Sequence, residues 1–147
     1  AIPGSVDFLN YAHSKGVKVF YVSNRDEVQK QATIDNLKTV GITDVSGENV
    51  LLRTKDSSKE ERRQFILQKY RIVFFVGDNL DDHSSIFEKK SVIDRFAEVD
   101  KTKALFGKQY IMLPNAMYGT WENALYEYGR LNDVEKAEKR AAALELP

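Results

Sequence analysis

The sequence predicts an α/β fold, a Rossmann-like parallel sheet with helices on both faces. Two short apolar runs, Val17–Val22 and Ile72–Val76, are rich in β-branched and aromatic residues and show little alternation. This composition is typical of strands that are covered on both faces. Segments with helical spacing lie before, between and after these runs. Because strands that alternate with helices form βαβ units, the chain is expected to build a parallel sheet.

The remaining elements follow from apolar spacing and from helix start and stop signals. The spacing predicts a first helix over Ser5–Ser14 and a second over Asp26–Val40, each of which ends just before a glycine. A third helix, Ser57–Tyr70, starts with a serine cap and has two glutamates in its first turn. A third strand, a weaker fourth strand and two later helices complete the prediction: in that order, Gln109–Leu113, Asn49–Leu52, Thr120–Tyr128 and Val134–Leu144.

Length and composition favour one globular domain over residues 1–147, with a C-terminal helix within residues 133–146. The chain has 147 residues, of which 42% are hydrophobic and 30% charged, as in ordinary folded proteins. Lys+Arg and Asp+Glu number 22 each, so the charge balance predicts no nucleic-acid partner. The absence of cysteine excludes disulfides, thiolate metal sites and cysteine nucleophiles. The apolar runs are far too short to cross a bilayer.

An acidic run, GDNLDD at residues 77–82, directly follows the second apolar run. In parallel sheets ligands bind beyond the carboxyl ends of the strands, so these acids lie where a site is expected. Asp78 and Asp82 are predicted to hold Mg²⁺, which prefers a few carboxylate oxygens together with water and substrate phosphate. The alternative is a solvated loop whose aspartates cap the next helix. His83 is interpreted as a packing or surface residue and not as a ligand.

Three polar residues, Ser23, Asn24 and Arg25, follow the first apolar run. A hydroxyl and backbone N–H groups at a helix start can bind phosphate, so Ser23 and Asn24 are candidate substrate-binding residues. Ordinary helix capping is the alternative. Arg25 either contacts the substrate or forms a structural ion pair, and the sequence leaves both open. Lys59, at the start of the third helix, is a candidate for neutralising phosphate charge, although a lone lysine is usually a solvated surface charge.

The order of serine, lysine and paired aspartates resembles three of the four signature motifs of the haloacid dehalogenase superfamily. The segment FYVSNR with Ser23 resembles the second motif, Lys59 in DSSKEERR the third, and VGDNLDD with Asp78 and Asp82 the fourth. The sequences of these segments are similar to those of the class C acid phosphatases, a family that includes an outer-membrane lipoprotein of bacteria. Four further stretches are similar to that family: Ala1–Phe8, Val40–Thr43, Val50–Arg53 and Leu113–Glu122.

The resemblance implies a magnesium-dependent acid phosphatase that hydrolyses small phosphomonoesters, such as nucleoside monophosphates, through an aspartyl-phosphate intermediate. By match to the motifs, Ser23 binds the phosphoryl oxygens and Lys59 stabilises their charge. By the same match, Asp78 ligates Mg²⁺, and Asp82 ligates it or holds its waters. A nucleophilic aspartate attacks phosphorus, and a second aspartate two residues later protonates the leaving group.

The first motif, an Asp-x-Asp at a strand tip, is absent from the sequence. In the family this strand lies upstream, so the nucleophile is expected on a preceding segment, either a separate chain or one not included here. The alternative is a non-catalytic domain that binds phosphate and Mg²⁺ without turnover. Family members are secreted or held in the bacterial envelope, and a lipobox for anchoring would lie in the same upstream segment. That segment and a phosphomonoester are the expected partners, and a homodimer is an open alternative to a monomer.

Aromatic side chains follow the last predicted strand, in the segment that contains Tyr118 and Trp121. Aromatic rings near a site can stack on a nucleobase or a nicotinamide ring, so Tyr118 is a candidate substrate-binding residue. The alternative is that both rings close the core beneath a loop.

The tail has apolar residues at helical spacing, which predicts an amphipathic helix. We expect this helix to pack on its own domain, with packing on a partner as the alternative. The apolar positions are Val134, Ala137, Ala141 and Leu144.

Overall fold

The computed structural model describes residues 1–144, and it divides into two compact units, Ala1–Arg62 and Arg63–Pro147. Each unit contains one pair of parallel strands, and helices separate the strands along the chain. The predicted α/β class with parallel strands is therefore confirmed, whereas the single domain stays a prediction. Residues 145 and 146 of the predicted tail helix lie outside the described residues. Within residues 1–144 no helix is long and apolar enough to span a membrane.

The first unit pairs β1 with β2 in parallel, with Tyr21 opposite Val50. Helix α1 has the bounds that the sequence predicts, because its apolar spacing ends at Lys15 and Gly16 without competition from a neighbouring pattern. Helix α2 begins after a 3₁₀ turn, Glu27–Gln29, rather than directly at the predicted start. The elements are α1 (Ser5–Ser14), β1 (Tyr21–Asp26), α2 (Lys30–Thr39) and β2 (Val50–Arg53), followed by α3 (Glu60–Leu67).

The core of the first unit is aliphatic and contains one buried amide. The side chain of Asn49 is fully buried and donates hydrogen bonds of 2.9 Å to the backbone oxygens of Val19 and Asp44. Because both donors are satisfied, burial of this amide does not carry the cost of an unpaired polar group. The core comprises Ile34, Ile42, Val45, Val50 and Leu52, with Val6, Leu9, Tyr21 and Leu37 packed against it.

Strand β1 lies further along the chain than predicted: it begins at Tyr21 rather than Val17 and continues to Asp26. The backbone N–H of Tyr21 donates to the oxygen of Asn49 at 2.8 Å, and residues 17–20 precede this contact with the β2 segment. A strand forms only where a partner lies alongside, and sequence composition does not show where that is. Ser23 and Asn24 consequently lie within the strand and not beyond its end.

The second unit pairs β3 with β4 in parallel, with Phe75 opposite Tyr110. Strand β3 again starts later than the apolar run beginning at Ile72, because β4 lies alongside only from Phe75 onward. The sequence did not predict α4 or α5. The elements after α3 are β3 (Phe75–Gly77), α4 (Leu80–His83), α5 (Val92–Thr102), β4 (Tyr110–Met112), α6 (Thr120–Leu125) and α7 (Asp133–Ala142).

Aromatic rings dominate the core of the second unit. Tyr110 on β4 packs edge-on against Phe75 at 5.7 Å and against Phe106 at 5.5 Å between ring centroids. The ring of His83 lies 5.2 Å from that of Tyr110, and Phe87 is fully buried. Edge-to-face geometry of this kind is favourable beyond the area that it buries.

Helix α7 contacts its own unit, as expected, but not through its apolar side. Val134 and Leu144 are 69% and 67% exposed, so these two apolar side chains do not make the contact. The contact is polar: the guanidinium of Arg140 donates to Oε1 of Glu122 on α6 at 2.6 and 2.8 Å. Asn132 caps the start of the helix and accepts hydrogen bonds from two backbone N–H groups. Charge pairing and capping therefore fix this helix.

Candidate active site

The acidic loop, residues 77–82, is closed by the side chain of Asp82. Its Oδ2 accepts hydrogen bonds of 3.1 Å from the backbone N–H groups of Asp78 and Asn79. A Cβ added to Gly77 would lie 2.4 Å from the Cβ of Asp82, which is closer than real atoms approach. The loop therefore needs glycine at position 77 for space.

Asp78 is oriented by a side chain from the segment after β4. Nδ2 of Asn115 donates to Oδ2 of Asp78 at 2.8 Å. Oδ1 of Asp78 accepts no hydrogen bond from the described residues. Since a carboxylate offers several lone pairs, Asp78 can keep this bond and still coordinate a cation. Hydrogen-bond partners of metal-binding carboxylates generally fix the direction of the ligand oxygen, and Asn115 can do this for Asp78.

Two buried arginines brace the acidic loop, and both are only 5% exposed. Nη1 of Arg95 donates to Oδ1 of Asp81 and to the backbone oxygen of Phe87, both at 2.8 Å. Nη1 of Arg63 donates to the backbone oxygen of Asp81 at 2.9 Å. Asp81 is thus a structural ion-pair partner. Such bracing offsets the repulsion among three closely spaced carboxylates.

The sequence analysis did not single out Arg63 or Arg95. Arg95 lies on α5, whose start carries a usable signal: Ser91 caps the helix and accepts a hydrogen bond from the backbone N–H of Asp94. A serine followed three residues later by an acid before apolar residues is a helix start pattern. Recognising α5 would have placed Arg95 one turn from its cap. Its burial, however, is not visible from the sequence.

The acidic loop is also held from the segment that follows β4. Oγ1 of Thr120 donates to Oδ1 of Asn79 at 2.6 Å. A Cβ on Gly119 would lie 2.9 Å from Nδ2 of Asn79 and 2.7 Å from Cδ1 of Trp121. Glycine at 119 therefore allows the segment to lie directly against the loop.

His83 ends helix α4 and is 1% exposed. Its ring nitrogens lie 3.1 Å from the backbone oxygen of Asn79 and 3.2 Å from that of Ile111. Both nitrogens thus face carbonyl groups, and the ring packs against Tyr110. His83 therefore packs in the interior, as interpreted, and its exclusion as a ligand stays a prediction.

In the first unit, the serine segment, residues 23–25, is bonded to the start of α3. Nη1 of Arg62 donates to the backbone oxygen of Ser23 and its Nη2 to Oδ1 of Asn24, both at 2.6 Å. Nδ2 of Asn24 donates to the oxygen of Ser57 at 2.7 Å. These bonds bring the serine segment to the stretch that carries Lys59. Arg62 is a contributor that the sequence reasoning missed.

The three predicted residues of the serine segment differ in what remains available to a ligand. The amide of Asn24 already bonds at both its oxygen and its nitrogen, so its substrate contact stays a prediction. Oγ of Ser23 accepts from the backbone N–H of Arg25 at 3.2 Å, and no acceptor among the described residues takes its proton. Arg25 is exposed and forms no ion pair with a described residue. Ser23 can therefore donate a hydrogen bond to an anion.

Lys59 and Tyr118 occupy different surroundings. Lys59 is half-buried and directly precedes the first residue of α3. Tyr118 is 68% exposed, so the alternative in which its ring closes the core is wrong. Trp121 is partly buried, and its Nε1 is buried without a hydrogen-bond partner among the described residues.

Within the described residues, no group of three or more His, Cys, Asp or Glu side chains could hold a metal ion. The acidic loop offers two candidate carboxylates, Asp78 and Asp82, and these belong to the second unit. They fit part of a magnesium site, because Mg²⁺ is usually held by one or two carboxylates with water and phosphate oxygens. The structure thus groups the acids in one unit and Ser23 with the Lys59 stretch in the other.

Comparison with known proteins gives one consistent result. The sequence model of the HAD superfamily, subfamily IIIB (acid phosphatase), matches residues 1–121. The class C acid phosphatase from Bacillus anthracis is 46% identical, with a TM-score of 0.93 over 98% of this chain and 61% of that chain. A tungstate-bound structure of the class C acid phosphatase from Bacillus anthracis is 45% identical, with a TM-score of 0.92 and the same coverage. The chain thus spans 61% of the length of these solved proteins.

Proposed function

Because the chain belongs to the acid phosphatases of subfamily IIIB of the HAD superfamily, we propose that it is the larger part of a magnesium-dependent acid phosphatase. The observation that carries the proposal is the acidic loop, in which hydrogen bonds within the protein hold Asp78 and Asp82 in place. Prepositioned carboxylates of this kind can hold a cation against a phosphate group.

The residues of the first unit supply the phosphate side of the proposed reaction. The hydroxyl of Ser23 donates to a phosphoryl oxygen, since its proton has no acceptor in the described residues. The ammonium of Lys59 neutralises negative charge that develops on the phosphoryl group. Arg25, exposed and without an ion-pair partner among the described residues, contacts the substrate from the outside. Asn24 keeps the segment in place through its two hydrogen bonds.

The metal and the nucleophile complete the proposed site. When bound, Mg²⁺ neutralises the charge of the transferring phosphoryl group and orients it. Asp78 and Asp82 hold the ion, and the remaining carboxylates come from the segment upstream. That segment supplies an aspartate that attacks phosphorus, so that an aspartyl-phosphate forms and water then hydrolyses it. The second aspartate of the same motif protonates the leaving oxygen.

The substrates we propose are small phosphomonoesters, such as nucleoside monophosphates, whose base is an aromatic ring. Tyr118 supports this assignment because its ring is largely exposed on the segment bonded to Asp78 through Asn115. We further propose that the enzyme works outside the cytoplasm, secreted or anchored in the bacterial envelope through an upstream lipobox. We propose no nucleic-acid partner, because the positive and negative charges of the chain are balanced. A homodimer is a further hypothesis.

Hydrolysis of a chromogenic phosphomonoester at mildly acidic pH tests the function. The full-length protein is expected to be active with Mg²⁺ and inactive after chelation, whereas this chain alone is expected to be inactive. Tungstate, an analogue of phosphate that is bound in a solved relative, is expected to inhibit competitively.

Two controls sharpen this assay. Asp78→Asn removes a proposed metal ligand and is expected to lower activity at least about 100-fold, in line with the loss of a metal-site group. Gly47→Ala, at a position with nothing within 4 Å of the added Cβ, is expected to leave activity unchanged. A full-length protein that is inactive in Mg²⁺ would favour the alternative of a non-catalytic binding domain. Activity of this chain alone would disprove the proposal that the nucleophile lies on the upstream segment.

A further inference from the structure

The amide of Asn115 makes hydrogen bonds in two directions. Its Nδ2 donates to Oδ2 of Asp78 in the acidic loop at 2.8 Å. Its Oδ1 accepts from the backbone N–H groups of Met117 at 3.0 Å and of Tyr118 at 3.4 Å. The direction of the amide is fixed by chemistry, because the carboxylate can only accept and the backbone N–H groups can only donate.

Asn115 begins a short segment that presents two exposed side chains. Met117 and Tyr118 are 84% and 68% exposed, and both backbone N–H groups bond to Asn115. This segment, residues 115–120, is called the aromatic segment below. Its other end is tied to the acidic loop as well, through the 2.6 Å bond from Thr120 to Asn79. The two ends therefore tie the backbone that carries these side chains to the acidic loop.

We propose that Asn115 is a positioning residue that couples the metal ligand Asp78 to the leaving-group contact made by Tyr118. Asn115 does not touch the reacting atoms. One side of its amide sets the direction of the Asp78 carboxylate, as outer partners of metal ligands do. The other side shapes the turn that carries Tyr118. This inference rests on the proposed function and deepens it, since it links the metal to selectivity for substrates that carry an aromatic base.

The coupling makes specific predictions for single substitutions in the full-length protein. Asn115→Ala removes both sides of the link, so it is expected to weaken Mg²⁺ activation roughly tenfold. It is also expected to raise KM for a nucleoside monophosphate about threefold to tenfold, with KM for glycerol phosphate changed less than about twofold. Tyr118→Ala is expected to reproduce only the change in KM for the aromatic substrate.

A double-mutant cycle tests whether the two effects are linked. As a single substitution, Tyr118→Ala is expected to raise KM for the nucleoside monophosphate about fivefold. When it is added to Asn115→Ala, it is expected to raise the same KM less than about twofold. A titration of Mn²⁺, followed by the electron paramagnetic resonance signal of the free ion, measures metal affinity without turnover. The affinity of Asn115→Ala for Mn²⁺ is expected to fall roughly tenfold.

Asn132→Ala is the matched control, because Asn132 caps α7 and its loss costs stability without touching the acidic loop. It is expected to change thermal unfolding as much as Asn115→Ala does, but neither Mn²⁺ affinity nor KM. The proposal is overturned if the cycle is additive, or if Asn115→Ala leaves Mn²⁺ affinity unchanged. If the full-length protein lacks phosphatase activity, the proposed function fails, and retained Mn²⁺ affinity in Asn115→Ala would then still contradict the role of Asn115.

Discussion

The acidic loop and the serine segment are both polar, but they are held in different ways. Around the acidic loop, Arg63 and Arg95 are almost fully buried, and the ion pair of Arg95 with Asp81 is 2.8 Å long. In the serine segment, Arg62 bonds to Ser23 and Asn24, of which Asn24 is exposed. Neighbouring carboxylates repel each other and need fixed countercharges, whereas a segment that receives an anion needs donors left available. We therefore expect substitutions near the acidic loop to lower the free energy of unfolding the most.

The largest effect on stability is expected from Arg95→Met. This change leaves Asp81 largely buried without its partner, and such losses cost about 3–5 kcal/mol. Arg62→Met in the serine segment is expected to cost about 1 kcal/mol, because it removes hydrogen bonds that water can replace. Urea unfolding of the two variants gives both free energies. Equal losses of unfolding free energy would contradict the difference between the acidic loop and the serine segment.

Gly77→Ala is expected to have the next largest effect. The added Cβ would lie 2.4 Å from the Cβ of Asp82, so either the carboxylate or the strand end must move. Overpacking of this kind costs about 1–3 kcal/mol. Gly47→Ala in the first unit serves as control, because nothing lies within 4 Å of its Cβ, and it is expected to change stability by less than about 0.5 kcal/mol. A stable Gly77→Ala variant with unchanged metal affinity would show that Asp82 does not close the loop as described.

A smaller effect is expected at Tyr21 in the first unit. Burial, and secondarily the charge of Asp44, raises the pKa of Tyr21 to about 12, and its hydroxyl has no hydrogen-bond partner among the described residues. Since the folded state keeps the phenol proton and the unfolded state loses it near pH 10, stability is expected to fall as pH rises from about 10 to about 12.

Tyr21→Phe is expected to remove this slope and to leave stability at pH 7 little changed, because the hydroxyl lost was unpaired. Unfolding measured from pH 8 to 12 tests both points. A marked loss at pH 7 would reveal a partner for the hydroxyl. Arg95 is buried with several hydrogen-bond partners, whereas the buried hydroxyl of Tyr21 has none among the described residues. A comparison of the variants at these two positions therefore separates the stability contribution of a satisfied buried group from that of an unsatisfied one.

The smallest effect is expected from the exposed pair between α6 and α7. A hydrogen bond from Tyr126, followed by the bonds from Arg140, lowers the pKa of Glu122 below its ordinary value of 4.5. The folded state therefore favours the carboxylate, so the contact stabilises above pH 4.5 and is lost as pH falls through the lowered pKa.

Amide exchange of α7 measured between pH 3 and 6 follows this loss. Arg140→Ala is expected to make the exchange of α7 much less sensitive to pH in this range and to cost little at pH 6, because exposed ion pairs contribute little. A loss as large as that of Arg95→Met would show that burial does not decide the strength of these pairs.

The sequence allowed good prediction of elements that depend on local pattern. Helix α1 has its predicted bounds because its apolar spacing and its stop are both local. Strands β1 and β3 started later than predicted, since apolar composition shows which residues can be buried but not where a partner strand begins. Asp78 and Asp82 were predicted from their place after an apolar run. Their bracing by Arg63 and Arg95 was not predictable, because it depends on contacts between residues far apart in the chain.

Each strand of the chain has one neighbour, since β1 pairs only with β2 and β3 only with β4 among the described residues. Backbone groups along the outer side of a paired strand are templates for further strand pairing. The isolated chain is therefore expected to aggregate as its concentration rises, even though its surface charges are balanced. Recovery of a monodisperse protein is expected to improve when the upstream segment is present during refolding. Purification thus tests the proposed need for that segment before any enzyme assay does.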